Sequence, residues 1–171
     1  MEKNTGTFLT EGKQAKYNRH SSLSPGSWTL GGVKSIMKIT VEALVDNLGT
    51  VLEFVDGQLE EHGCPMRAQY EIDVAVEELF VNVASYAYET GVGSVTIEMT
   101  VEENPKTAVI QFTDRGIPYN PAAKEDPDVT LPADQREIGG LGIYMVKKSM
   151  DQLAYEYKDG QNIVTIRKTI K

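Results

Sequence analysis

The sequence predicts an α/β (α+β) two-layer sandwich, a mixed, mostly antiparallel sheet covered on one face by three helices. Three observations predict it. Several short segments alternate apolar and polar residues with the period of half-buried strands. Longer segments carry apolar stripes at helical spacing, and an Asp-Gly pair near the end joins two strand-like segments as a hairpin. With 171 residues, 40% of them hydrophobic and 25% charged, the chain has the length of one domain and the composition of a packed one.

Residues 1–36 contain Gly6, Gly12, Gly26, Gly31, Gly32 and Pro25 without a sustained apolar period, and read as a flexible N-terminal extension to a domain spanning 37–171. Strand periodicity begins at Met37, and Gly31-Gly32 is what a GGAGG-type ribosome-binding sequence would encode. Met37 is therefore a candidate native start, the alternative being an arm that binds a partner or completes a dimer. Lys38-Ile39-Thr40-Val41-Glu42 alternates as a strand. Leu44, Leu48, Val51, Leu52, Val55 and Leu59 then recur at helical spacing until Gly63 and Pro65 stop the helix. A second helix carries Ile72, Ala75, Val76, Leu79, Phe80, Val83, Ala84 and Ala87 on one stripe. Val95, Ile97, Met99 and Val101 alternate with Thr96, Glu98, Thr100 and Glu102 as a one-sided strand, and Thr107 to Thr113 follows as a more apolar one. From Asp114 to Ile138, Pro118, Pro121, Pro127 and Pro132 forbid an interior element. So long a loop is expected to act as a lid, mobile without ligand and ordered with it. Gly139-Gly140-Leu141-Gly142 opens a third helix reaching about Met150, with Lys147 and Lys148 where the helix dipole favours cations. Leu153 to Lys158 and Ile163 to Ile170 close the chain as strands joined through Asp159-Gly160.

Charge and cysteine content exclude several functions. Seventeen Lys and Arg against twenty-five Asp and Glu leave a net charge of −8, a field that repels nucleic-acid phosphate and anionic lipid. Cys64 is the single cysteine and His20 and His62 are the two histidines, so neither an internal disulfide nor a Cys/His metal cluster is available. His62, beside Gly63, reads as a cap or surface residue. No apolar stretch approaches the ~18 residues of a membrane span, and the expected location is the cytoplasm.

Three polar groupings remain. Glu78 and Asn82, four residues apart, share one stripe beside the apolar face of the second helix. An amide oxygen there is a hard ligand for Mg²⁺ and a carboxylate can serve as general base, although a solvated helix face explains the pair equally. Asp114-Arg115-Gly116-Ile117-Pro118 stands where an apolar strand ends, suited either to reach a ligand over the sheet edge or to make a turn. Gly139-Gly140-Leu141-Gly142 at a helix start would let phosphate approach free backbone N–H groups, or would simply turn the chain. It lacks the Gly-Lys-Ser/Thr ending of a Walker A loop.

The order of these groupings, helix, strand end, long lid and glycine-led helix, resembles the ATP-binding (Bergerat-type) fold shared by gyrase, the ninety-kilodalton heat-shock chaperone, histidine kinases and MutL. Within that superfamily the chain is most similar to the anti-sigma-factor serine/threonine kinases of bacterial partner-switching systems. Glu78-Leu79-Phe80-Val81-Asn82 resembles their asparagine box, Asp114 to Pro121 their adenine-side box, and Gly140-Leu141-Gly142 their lid-end glycine box. Asn162 to Lys168 resembles their last strand, whose threonine, here Thr165, lies near adenine.

The resemblance implies ATP and Mg²⁺ as cofactors, with Asn82 on the metal and Asp114 accepting a hydrogen bond from the adenine amino group. Gly116 and Pro118 would lie beside the base, Gly140, Leu141 and Gly142 at the phosphates, and Glu78 would be the catalytic base. Ile138 stands where the family carries a lysine or arginine, leaving Arg136 as the nearest cation for the phosphates. The implied partners are an anti-sigma-factor antagonist carrying the serine and a sigma factor, and the expected assembly is a homodimer that contacts neither nucleic acid nor membrane. The rival function is a non-catalytic module in which ATP orders the lid and sets partner affinity. Retention of Glu78 favours the kinase.

Overall fold

The computed structural model describes residues 36–127 and 141–170, and the backbone of 16–20. The rest of the extension, and Arg136, Ile138, Gly139 and Gly140 of the lid end, lie outside the described residues. Among the described residues are six strands, β1 (Lys16–His20), β2 (Ile36–Glu42), β3 (Ser94–Glu102), β4 (Thr107–Asp114), β5 (Gln152–Lys158) and β6 (Gln161–Thr169). The three helices are α1 (Leu48–Glu61), α2 (Met66–Tyr86) and α3 (Leu141–Ser149).

The strands form one sheet in the order β1-β2-β3-β4-β6-β5, and each neighbouring pair is antiparallel. The sheet expected to be mixed therefore contains no parallel pair among its described strands, and the connections explain why. Two helices between β2 and β3 carry the chain across the sheet and back, so β3 starts at the end where β2 finished. Beyond the lid, β5 runs in the same direction as β4, and β6 folds back between them. The β5–β6 hairpin turns at Asp159 (φ 53°) and Gly160 (φ 72°), the left-handed pair that Asp-Gly favours. Strand β1 falls inside the segment read from sequence as a flexible extension. Its five residues lack the apolar alternation that would have marked them, and its place in the sheet comes from backbone pairing with β2.

One face of the sheet is apolar and covered by the helices. Cross-strand register lines up its inward residues in rows. Ile39, Ile97, Phe112 and Val164 form one row, and Met37, Met99, Ile110 and Ile166 another. Every one of these is buried, as are Val51, Val55 and Leu59 of α1, Ile72, Val76, Leu79 and Phe80 of α2, and Ile143 and Val146 of α3. A third row reads Val41, Val95, Asp114 and Asn162, so the apolar floor ends in two polar side chains at inward positions.

Local chemistry fixes the helix ends. Gly63 takes φ +66° after α1, and the Cys64 N–H returns to the Leu59 carbonyl at 2.9 Å, a left-handed cap. His62 Nδ1 lies 2.8 Å from the Gln58 carbonyl, the capping role expected of it. Lys168 on β6 donates to the Ser149 carbonyl at the end of α3 (2.6 Å) and pairs with Glu71 on α2 (2.5 Å), tying two helices to the sheet. That hydrogen bond, reinforced by Arg67, holds the Glu71 carboxyl below its ordinary range.

Candidate nucleotide-binding site

The sheet row that ends in Asp114 and Asn162 opens into a cleft between α2, the ends of β4 and β6, and the first residues of the lid. Together with the open solvent at its mouth it takes up ≈ 610 Å³. Leu79, Val83, Phe112 and Val164 give it an apolar floor, and Asn82, Asp114 and Asn162 are the polar groups reaching it. A largely apolar cleft with a few fixed polar groups is the general form of a small-molecule site. Ile117, Pro118 and Tyr119 supply the wall that follows β4, with Tyr86 at the end of α2.

Why Asp114 faces inward follows from strand parity: it shares a face with Ala108, Ile110 and Phe112. It is 4% exposed, and its Oδ1 accepts from the Gly116 N–H (2.8 Å) and from Asn162 Nδ2 (2.9 Å). Both bonds end on one oxygen. Burial of a carboxylate is tolerable only with such partners, and an acceptor aimed into an apolar cleft discriminates sharply for a ligand donor. Gly116 is required by close approach: a Cβ there would stand 2.3 Å from the Ala87 carbonyl oxygen and 2.5 Å from its Cβ. The Ile117 N–H donates to that same carbonyl at 2.8 Å, and the Arg115 N–H to the Tyr88 hydroxyl at 3.2 Å. The chain leaving β4 is thereby strapped to the end of α2.

On α2, Asn82 donates from Nδ2 to the Glu78 carbonyl at 2.7 Å. That bond orients the amide and leaves Oδ1 for another partner, as a metal ligand requires. Among the described residues no group of three His, Cys, Asp or Glu could hold a metal. This donor set suits Mg²⁺, which takes one or two protein oxygens and its remaining ligands from phosphates and water. One turn before Asn82, the Glu78 carboxylate lies against the first turn of α3. A Cβ on Gly142 would fall 1.9 Å from Glu78 Oε2, so glycine is what lets the two approach.

The structure thus brings Asn82, Asp114 and Pro118 to one cleft, packs Gly116 behind Asp114 against Ala87 rather than in the lining, and sets Glu78 against Gly142. Leu141 opens α3 half exposed and does not line the cleft, and Gly140 lies outside the described residues. Thr165 is not brought to the site. It has the parity of Ile163, on the sheet face opposite Asn162, Val164 and Ile166, and its cross-strand neighbours are Gln111 and Ala154. Val164 and Asn162 occupy the cleft instead. Asn162, Tyr119 and Tyr86 were given no role from sequence. For Asn162 a signal existed, a polar residue in phase with buried Val164 and Ile166.

Comparison with known proteins agrees with this fold. The profile of the histidine kinase-like ATPase domain matches residues 41–168. The serine/threonine-protein kinase BtrW of Bordetella bronchiseptica is 24% identical over 100 residues, 58% of this chain and 70% of its own. The serine-protein kinase RsbW of Bacillus cereus is 21% identical over 134 residues, 76% of this chain and 74% of its own. Among solved structures, the RsbU and RsbW domains of Rv1364c from Mycobacterium tuberculosis superpose with a TM-score of 0.56 at 16% identity, covering 79% of this chain and 32% of that one. This likeness is one of fold. No described helix is long and apolar enough to cross a membrane. With a profile that spans the sheet and its helices, the chain belongs to the histidine kinase-like ATPase domain family.

Proposed function

We propose that this chain is an ATP-dependent serine/threonine protein kinase of the partner-switching kind. It phosphorylates a serine on an anti-sigma-factor antagonist and sequesters a sigma factor. The observation that carries the nucleotide reading is the buried Asp114 carboxylate, held by two donors on Oδ1 at the end of an apolar cleft. Adenine offers an apolar ring face and an exocyclic amine, the complement of that arrangement. Kinase activity is supported by the names of the relatives and by Glu78, one turn from Asn82 and against α3.

In the reaction, Glu78 takes the proton from the serine hydroxyl as its oxygen attacks the γ-phosphorus. The bond from phosphorus to the β,γ-bridging oxygen breaks, and ADP leaves. Asp114 accepts from the adenine amine, Asn82 would hold Mg²⁺ through its Oδ1, and the close approach of Gly142 fixes where the Glu78 carboxylate stands. Mg²⁺, when bound, neutralises charge on the phosphate oxygens. Positioning supplies most of the acceleration, and the base contributes ~10²- to 10⁴-fold.

Calorimetric titration with ATP, with and without Mg²⁺, followed by radiolabel transfer to antagonist-type proteins encoded nearby, tests this reading. Mg²⁺-dependent binding with transfer to a serine is the expected result. Binding without transfer to any such protein would favour the non-catalytic module, and no binding would reject the site.

A further inference from the structure

A single buried amide ties together the cleft, the start of the lid and the edge strand. Asn162, 3% exposed, accepts at Oδ1 from the Tyr155 hydroxyl (2.9 Å) and from the Tyr119 N–H (3.2 Å). At Nδ2 it donates to Asp114 Oδ1 (2.9 Å), to the Ile117 carbonyl (3.0 Å) and, at longer range, to the Gly116 carbonyl (3.4 Å). These partners leave no freedom in the orientation of the amide. A peptide N–H only donates and a peptide carbonyl only accepts, so a flipped Asn162 would set donor against donor at Tyr119 and acceptor against acceptor at Ile117. Nδ2 must therefore face Asp114.

The consequence falls on the carboxylate. Asp114 Oδ1 receives two obligatory donors, the Gly116 N–H and the Asn162 amide, which occupy its lone pairs. Oδ2 is left as the oxygen that meets a ligand, and the rotation of the carboxyl group is fixed from behind. Tyr155 keeps Asn162 in place in turn. Burial, and after it the nearby Tyr157 and Asp114, push the Tyr155 hydroxyl above its ordinary range, so it remains a donor.

We infer that Asn162, oriented by Tyr155, is a positioning residue that sets base selectivity by locking Asp114 as an acceptor toward the ligand. The inference rests on the adenine-nucleotide reading of the cleft and adds residues to it. Adenine presents an amine where hypoxanthine presents a carbonyl. A locked acceptor accepts the first and repels the second. Without the lock, the carboxyl group can rotate away from the geometry that meets the amine, and discrimination falls.

The test is calorimetric titration of the full chain with ATP and with ITP, both with Mg²⁺, for wild type, Tyr155→Phe and Asn162→Ala, with thermal melting of each. Tyr155→Phe removes one oxygen from a partly exposed strand residue and keeps the test valid if Asn162→Ala does not fold. From the usual worth of one hydrogen bond, Tyr155→Phe is expected to lower the ATP/ITP affinity ratio about three- to tenfold. Asn162→Ala, losing the contact with the carboxylate itself, is expected to lower it by more than about tenfold. Equal losses for both nucleotides, or an unchanged ratio in folded variants, would mean that Asn162 serves the fold alone and overturns the inference while leaving the cleft an adenine site. Wild-type protein that does not prefer ATP overturns the adenine reading and this inference together.

Discussion

Gly142→Ala separates stability from catalysis in a way the fold makes quantitative. A methyl at Gly142 would stand 1.9 Å from Glu78 Oε2, 2.1 Å from Cδ and 2.4 Å from Oε1. Since non-bonded atoms settle at about 3.5 Å, the carboxylate would have to retreat by roughly 1.5 Å. The backbone of α3 loses nothing by the change, because Gly142 does not take a positive φ, and alanine in place of glycine favours a helix by about 1 kcal/mol. The obstructing atoms are the end of a rotatable side chain, so the fold can yield without cost to the core. Catalysis cannot yield so easily, since misplacing a catalytic group by ~1 Å costs on the order of 10²-fold.

The expected outcome is a variant that melts at or slightly above the wild-type temperature, binds ATP within a few-fold of wild type, and transfers phosphate about 10²-fold more slowly. Single-turnover transfer to an antagonist-type protein, beside a melting curve, measures both. A double variant sharpens the test, because the effect is argued to pass through Glu78. Gly142→Ala in a Glu78→Gln background should then cost little more than Glu78→Gln alone, whereas independent effects would multiply. Wild-type turnover in Gly142→Ala, or multiplicative losses in the pair, would refute the reasoning.

Glu78→Gln should leave ATP affinity nearly intact and slow transfer by about two orders of magnitude or more, read from initial rates. Asn82→Ala should abolish the Mg²⁺ dependence of ATP binding, and Asp114→Asn should reduce affinity for adenine nucleotides most, both by calorimetry. Gly116→Ala forces a methyl into the Ala87 backbone, so it should cost about 1–3 kcal/mol of stability and weaken ATP binding with it, by melting and titration. Asp73 on α2 has a buried oxygen without a hydrogen-bond partner, and burial together with Asp56 of α1 raises its carboxyl from its ordinary 3.8 to about 6. An acid whose folded value is raised holds its proton longer in the folded state. Its contribution to stability is therefore present at low pH and is lost as pH rises from about 4 to 6. Asp73→Asn, which can donate to Asp56 at every pH, should raise stability at pH 7 by ~1 kcal/mol after allowance for solvent screening and flatten the dependence between pH 4 and 6, by denaturant titration.

Those parts of the fold whose periodicity is local were legible in the sequence. The stripe on α2 and the alternation of β3 announce their faces without reference to any other segment. The Asp159-Gly160 turn likewise depends on two residues. Strand β1 was not legible, because five residues without alternation acquire strand character only by pairing with β2. The direction of pairing also escaped local reading. It depends on β6 inserting between β4 and β5, a fact of connection that no single segment carries.

The site divides on the same line. Glu78 and Asn82 are readable together because helical spacing places them on one stripe, and Asp114 because it ends an apolar strand. Thr165 shows what a motif can miss: one step along a strand reverses the face, and its neighbour Val164 has the parity that meets the cleft. Asn162 was out of reach of motif reading for another reason. Its meaning comes from Asp114, 48 residues earlier, and Tyr119, 43 earlier, whose meeting requires the β4–β6 register. Its parity does carry one deduction from sequence alone: a polar residue in phase with buried Val164 and Ile166 must find partners inside, since an unpaired buried amide costs about 1–3 kcal/mol. When the facing inward residue across the sheet is a carboxylate, the amide hydrogen is the one donor the pair offers, so the register that aligns Asp114 with Asn162 fixes the orientation of both.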